Sequence, residues 1–363
     1  MRVPSAVTTR TGKLSLLKQN KQVELCVLNQ GQGNKDTMYR SQIIGTGSNA
    51  PQKVLTNKDL ESLVDTNDEW IITRTGIKER HIAVNGEATS KFAYQASCNA
   101  LEMAGVSPDE IDMIIVGTVT PDMSTPSVAC IVQDMLKASR ASAFDISAGC
   151  TGFIYSLSIA DNCIKAGMCE KVLVIGAETL SKITDYQDRS TCIIFADGAG
   201  AAVMAKGNGE QGILSTHLFS DGSYGNLLYM PGGGSALPSS NETIKNREHY
   251  LKMDGNKVFK IAVKSLEEAA LTALSHNRLT KASVDLLIPH QANSRIIEAI
   301  AKRLNLPPEK VFSNIDKFGN TSAASVPIAL DDANRQNRIK ENDLILLDAF
   351  GAGFTWGSAL LRW

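Results

Sequence analysis

The sequence predicts an α/β protein in which one unit of strands and helices is built twice. Three observations carry that prediction: apolar runs of strand length recur, helical patterns lie between them, and the alternation repeats at matched spacing. Strands that are apolar almost throughout belong to sheets covered on both faces, and the intervening helices supply the cover.

The first 37 residues stand apart. Arg2, Arg10, Lys13, Lys18 and Lys21 precede the first acid, Glu24, and Ser and Thr are frequent. Residues 1–37 show no convincing amphipathic helix, so they read as a disordered extension before a start near Met38. An organelle transit segment is the alternative.

From Met38 onward, "IDMIIVGTV" (Ile111–Val119), "KVLVIGAE" (Lys171–Glu178), "VDLLIPH" (Val284–His290) and "NDLILLDAF" (Asn342–Phe350) are strand candidates. "SKFAYQASCNALEMAG" and "VFKIAVKSLEEAALTAL" carry the helical period. The first half runs through "IDMII", "SVACIVQDML", Cys150 and "EKVLVIGAE"; the second runs through "VDLLI", "NSRIIEAIAKRL", Asn320 and "ENDLILLDA". Ile111 to Cys150 and Val284 to Asn320 are nearly equal separations, as are Cys150 to Lys171 and Asn320 to Asn342. An internal duplication explains this better than chance alternation. It makes Cys150 and Asn320 equivalent positions, drawn together about a pseudo-twofold axis. The polar connector "KGNGEQG" (Lys206–Gly212) divides the halves into residues 38–207 and 208–363. "SDGSYGN" and "PGGGSALPSSNET" read as long surface loops or a lid.

With 37 basic against 38 acidic residues, no basic face is implied, so nucleic acid is a poor partner. No apolar run approaches the roughly 18 residues a membrane helix needs. The cysteines (26, 98, 130, 150, 163, 169 and 192) form neither a C-x-x-C pair nor a dense framework, which fits reduced thiols in a cytosol-like compartment. No cluster has metal-ligand spacing.

Cys150 in "AFDISAGCTGF" lies where a strand hands over to a helix, among small residues. Free N–H groups at a helix end favour a thiolate, and small neighbours let a carbonyl approach the backbone. A buried structural cysteine is the competing reading. His290 closes a strand, where catalytic groups of open α/β sheets collect; the other four histidines (81, 217, 249 and 276) read as structural. Asn320 in "KFGNTSAASVP" is either a helix cap or a hydrogen-bond donor. "FADGAGAAVMAK" (Phe195–Lys206) reads as close packing and a tight turn. "GAGFTWGSALL" offers backbone amides to an oxyanion, or is a glycine-rich turn.

"DTNDEWIITRTGIKERHIA", "DISAGCTGF", "LIPHQANSRI", "FGNTSAASVP" and "FGAGFTWGSALL" together resemble β-ketoacyl-acyl-carrier-protein synthase III, the initiating condensing enzyme of dissociated fatty acid synthesis. The resemblance runs from about Ile43 to Trp363 and rests on five motifs in order. It implies a duplicated thiolase-like fold layered α-β-α-β-α. Cys150 would be the acylated nucleophile, with His290 and Asn320 completing the set. The amides of Cys150 and Ala352 would hold the oxyanion. Trp70, Arg74 and Arg189 match residues that hold the nucleotide end of coenzyme A; Asn293, Gly255 and Phe259 match the pantetheine tunnel. Gln291, Ala292, Asn293, Ser294, Arg295, Lys302 and Arg303 match the docking face for acyl carrier protein.

The resemblance further implies acyl-CoA as substrate, no cofactor, a homodimer and a cytoplasmic setting, with a plastid or other organelle as the alternative. Thr125 stands where many relatives carry an aromatic residue beside the primer pocket, so longer or branched primers enter the reading alongside acetyl. Ala352 interrupts the usual run of three glycines, but its N–H is retained. The rivals are a Cys-His-Asn hydrolase, a thiolase-fold condensing enzyme with another acceptor or a longer primer, and a non-catalytic homologue.

Overall fold

The apolar runs become the strands of two sheets. The computed structural model describes residues 39–207 and 209–363, so the reading of residues 1–37 lies outside the described residues. In chain order the strands are β1 (Ser41–Asn49), β2 (Met113–Gly117), β3 (Ser142–Ile146), β4 (Lys171–Thr179), β5 (Asp197–Lys206), β6 (Gly212–Ser220), β7 (Leu286–Pro289), β8 (Leu344–Gly351) and β9 (Thr355–Arg362). The helices that matter for the site are α1 (Asp68–Thr75), α2 (Thr89–Ala104), α3 (Val128–Leu136), α4 (Gly152–Lys165), α5 (Gly255–His276), α6 (Ser294–Leu304) and α7 (Ser325–Arg335).

One sheet has the order β1-β5-β4-β2-β3 and the other β6-β9-β8-β7. In the first, β1/β5 and β5/β4 are antiparallel, while β4/β2 and β2/β3 are parallel. The second repeats the sequence of directions: β6/β9 and β9/β8 antiparallel, then β8/β7 parallel. A parallel bridge between Leu287 and Val311 stands where β3 stands in the first sheet. The duplication is written in strand order and polarity.

Alternation along each strand sends neighbouring side chains to opposite faces. Ile114 and Val116 of β2 pack outward with Phe92, Ala96 and Val132 of α2 and α3. Ile115, between them, packs inward with Phe153 and Leu157 of α4 and Val326 and Leu330 of α7. On the second sheet, Leu346 and Leu360 meet Leu266, Ala270 and Ile300 of α5 and α6. The result is five layers, α-β-α-β-α, with α4 and α7 buried between the sheets. Except at their C-terminal ends these helices have no wet face, so polar groups along them must be paired. Asp161 of α4 accepts from Ser41 Oγ at 2.6 Å, and Ser156 Oγ donates to the Gly152 carbonyl at 2.8 Å.

Two sequence expectations need correction. The segment read as a tight turn is β5, a ten-residue central strand. Its glycines do serve close packing, since a Cβ at Gly200 would lie 2.6 Å from the Ile328 nitrogen of α7. Cys150 and Asn320 are also not strictly equivalent. Cys150 sits in the 3₁₀ turn Gly149–Thr151 that enters α4, whereas the matching turn into α7 is Ser322–Ala324. Asn320 lies just upstream of that turn, held in a parallel bridge to Phe195.

Candidate active site

Cys150 enters the site on a turn that two glycines allow. Gly149 has φ +55°, and a Cβ on it would lie 2.6 Å from the Ala352 nitrogen. A Cβ on Gly351, at the end of β8, would come within 2.3 Å of the Cys150 nitrogen. Only glycine at both places lets the β8–β9 turn press against the cysteine turn. Thr355 Oγ1 fastens the contact by donating to the Ala148 carbonyl at 2.7 Å. The N–H groups of Cys150 and Ala352 then both face the sulfur, as does the Ser322 hydroxyl.

The sequence-based expectation of a depressed thiol pKa is overturned. Cys150 is 8% exposed, and burial pushes its thiol up to about 11 despite the hydroxyl and the two amides. Removing the anion from water outweighs these neighbours here. The resting residue is a thiol.

His290 follows β7 and is 2% exposed. Its N–H donates to the Asp348 carbonyl at 2.7 Å, which continues the β7/β8 pairing. The Nδ1 atom lies 2.5 Å from Oγ of Ser325, the first residue of α7. That oxygen also accepts the Gln291 N–H at 3.3 Å, so its own hydrogen is free for Nδ1. By this pattern Nε2 carries the ring proton. Burial pulls the ring pKa down to about 3, so the imidazole is neutral.

Asn320 is fixed on three sides. Its N–H donates to Ile194 at 3.0 Å and its carbonyl accepts the Ala196 N–H at 2.9 Å. Its Oδ1 accepts the Ser322 N–H at 2.9 Å. The side-chain oxygen is thereby occupied, and among the described residues Nδ2 has no protein acceptor. The Oδ1 bond serves the turn that leads into α7, whose N-cap position is Thr321. Cys150, His290 and Asn320 thus gather around one segment, residues 320–325, with Ser322 facing the sulfur and Ser325 holding the imidazole.

Sequence reasoning missed Glu178, at the end of β4. It is fully buried, accepting from Ser322 Oγ at 3.0 Å, from Thr118 Oγ1 at 3.2 Å, from the Val119 N–H at 3.1 Å and from the Thr120 hydroxyl. Burial still raises its carboxyl to about 7. Ser322 and Ser325 were missed as well, because "SAAS" reads as an ordinary small-residue helix start.

A second cluster lies on the surface. The Arg189 guanidinium stands 4.8 Å and that of Arg74 5.7 Å from the centre of the Trp70 ring. Asn293 Nδ2 donates to the Arg74 carbonyl at 3.0 Å, and Arg295 lies over Phe259 at 5.4 Å. Gly255 opens α5, capped by Asp254. Trp70, Arg74, Arg189, Asn293, Arg295 and Phe259 are therefore linked across α1, α6, α5 and the short helix Arg189–Cys192.

The expected docking face is less uniform. Ala292 and Ser294 are half-buried, while Arg295 and Lys302 are exposed. Arg303 is ion-paired with Glu267. Gln291 is a correction: it is 1% exposed, donating to the Pro289 carbonyl at 2.6 Å and accepting the Asn314 N–H at 3.1 Å. A side chain so committed inside the fold cannot contact a protein partner. Thr125 is exposed on the loop before α3, and no hydrogen bond among the described residues ties it to Cys150.

Among the described residues no cluster of His, Cys, Asp and Glu could hold a metal ion, and no helix is long and apolar enough to cross a membrane.

The duplicated five-layer fold, with a cysteine at the N-terminal end of a central helix, defines a thiolase-like condensing acyltransferase. Residues 144–222 match the family described as 3-oxoacyl-[acyl-carrier-protein (ACP)] synthase III, and residues 274–363 match its C-terminal portion. Over 321 residues the chain is 57% identical to a β-ketoacyl-[acyl-carrier-protein] synthase III of Caldanaerobacter subterraneus subsp. tengcongensis, covering 88% of this chain and 97% of that one. The crystal structure of 3-oxoacyl-[acyl-carrier-protein] synthase III from Aquifex aeolicus VF5 superposes with TM-score 0.83 at 50% identity, covering 89% of this chain and all of that one. The priming β-ketosynthase of the R1128 polyketide biosynthetic pathway superposes with TM-score 0.83 at 36% identity, covering 91% of this chain and 98% of that one. The chain belongs to the 3-oxoacyl-[acyl-carrier-protein] synthase III family.

Proposed function

We propose that the chain joins an acyl-CoA primer to malonyl-carrier protein by decarboxylating Claisen condensation, giving 3-oxoacyl-carrier protein and starting fatty acid synthesis. Cys150 attacks the thioester, and the N–H groups of Cys150 and Ala352 hold the charge that develops on the carbonyl oxygen. Coenzyme A leaves and the acyl group stays on sulfur. Malonyl-carrier protein then loses carbon dioxide. The enolate oxygen that forms needs neutral donors, which His290 Nε2–H and Asn320 Nδ2–H supply. The resulting carbanion attacks the acyl-cysteine. No step as written needs a metal or redox group.

The observation that supports this reading best is the convergence of Cys150, His290 and Asn320 on residues 320–325. The linked cluster around Trp70 suits an adenine ring and phosphates, through stacking and two guanidinium groups. With Gln291 withdrawn, the carrier-protein contact falls to Ala292, Asn293, Ser294, Arg295, Lys302 and Arg303. The exposure of Thr125 makes its place beside a primer depend on a second copy of the chain, in keeping with a homodimer. A cytoplasmic setting completes the proposal.

The test supplies acyl-CoAs of increasing length and branching with malonyl-carrier protein. Formation of 3-oxoacyl-carrier protein supports the reading. Release of carbon dioxide with no condensed product, for every primer, would count against it.

A further inference from the structure

Resting on the assignment of Cys150 as nucleophile, we propose that Ser322 and Glu178 form a proton relay that takes up the thiol proton as the sulfur attacks. The relay is laid out in the fold. The Ser322 hydroxyl faces the Cys150 sulfur on one side and donates to Glu178 Oε1 at 3.0 Å on the other. Ser322 occupies the left-handed region at φ +50°, a rare place for a residue with a side chain, and its N–H is pinned by Asn320 Oδ1 at 2.9 Å. The hydroxyl is held in position.

A buried thiol that is neutral at rest cannot attack until something removes its proton. The groups facing Glu178 are hydroxyls of Thr118, Thr120 and Ser322 and the N–H of Val119. Asp122, the charged residue of that loop, is turned to Ser90, whose Oγ donates to it at 2.6 Å. Cys150 is the titratable group whose charge couples to Glu178. A carboxylate raised to about 7 is a stronger base than an ordinary one and still ionised in part at neutral pH.

In the step itself the Cys150 S–H bond breaks and its electron pair forms the bond to the thioester carbon. The proton passes to Ser322 Oγ, and the Ser322 hydroxyl proton passes to Glu178. When the tetrahedral intermediate collapses, the carbon–sulfur bond to coenzyme A breaks. The proton returns from Glu178 through Ser322 to the departing thiolate, leaving Glu178 ionised again. Each passage shifts two hydrogens and carries one proton, and the return passage restores the relay to its starting charge.

Glu178→Gln and Ser322→Gly test this, the glycine also suiting the left-handed backbone. Acylation of Cys150 by acyl-CoA should slow by about 100-fold or more in both. Once either variant is fully acylated by long incubation, its reaction with malonyl-carrier protein should run at the wild-type rate. In Glu178→Gln the pH midpoint for iodoacetamide labelling of Cys150 should move down, because the neighbouring negative charge is gone. Easier ionisation with slower acylation is a signature that a merely structural role would not produce. Equal loss of both half-reactions, or acylation at the wild-type rate, overturns the relay. Failure of the wild-type protein to acylate at Cys150 instead overturns the assignment on which the relay rests.

Discussion

The Ser325 hydroxyl lies 2.5 Å from Nδ1 of His290, and the same oxygen accepts the Gln291 N–H at 3.3 Å. One residue at the start of α7 thereby fixes both the orientation of the imidazole and the nitrogen that carries its proton. Ser325→Ala removes that choice between tautomers. A buried hydrogen bond of about 1–1.5 kcal/mol corresponds to roughly a tenfold change. Decarboxylation of malonyl-carrier protein should fall by about tenfold, with Cys150 acylation retained; separate assays of the two half-reactions check it.

His290→Ala and Asn320→Ala each delete a donor to the enolate oxygen. Loss of one such donor costs about 100- to 1,000-fold, so decarboxylation should fall by that amount in each variant. Carbon dioxide release from malonyl-carrier protein measures this directly. A variant that decarboxylates at the wild-type rate has been given the wrong role.

Thr125→Phe would restore bulk beside the proposed primer pocket. Pocket discrimination of about 1–3 kcal/mol, or roughly 10- to 200-fold, follows a change of methylene size. The ratio of kcat/KM for acetyl-CoA over a longer acyl-CoA should rise within that range. An unchanged ratio would remove Thr125 from the pocket.

Asp348 of β8 is a fully buried carboxyl with neither oxygen hydrogen-bonded among the described residues, and burial pushes it well above the carboxylate range. Its folded value exceeds the unfolded value of about 4, so the folded protein binds the extra proton. Stability from this group is fully present below pH about 4 and is lost as pH rises toward the folded value. Asp348→Asn should therefore gain stability relative to the parent protein as pH rises from 5 to 8. Thermal unfolding of both proteins at the two pH values decides it.

These predictions draw unequally on sequence and structure. Cys150 and His290 were legible because each stands at a visible change from strand to helix pattern, and the duplication linked their surroundings. Glu178 was not. It ends an apolar run and reads as a charge leaving a strand, and only the approach of Thr118, Thr120 and Ser322 from other elements encloses it. The strand Asp197–Lys206 was missed because glycine and alanine carry little strand preference. Its identity comes from pairing with two neighbours and from the room it leaves for α7. Gln291 was misplaced because motif position does not disclose which way a side chain turns. The pKa of Cys150 failed for a related reason: the helix end is local and readable, whereas burial is a property of the whole fold.

The central claim is that the sulfur of Cys150 carries the acyl group. The most direct measurement is the mass of the protein and of its Cys150 peptide after mixing with an acyl-CoA alone. The account predicts one acyl adduct, on that peptide, with one coenzyme A released per chain and the adduct discharged by malonyl-carrier protein. An unmodified Cys150, or an adduct on another cysteine, would contradict it.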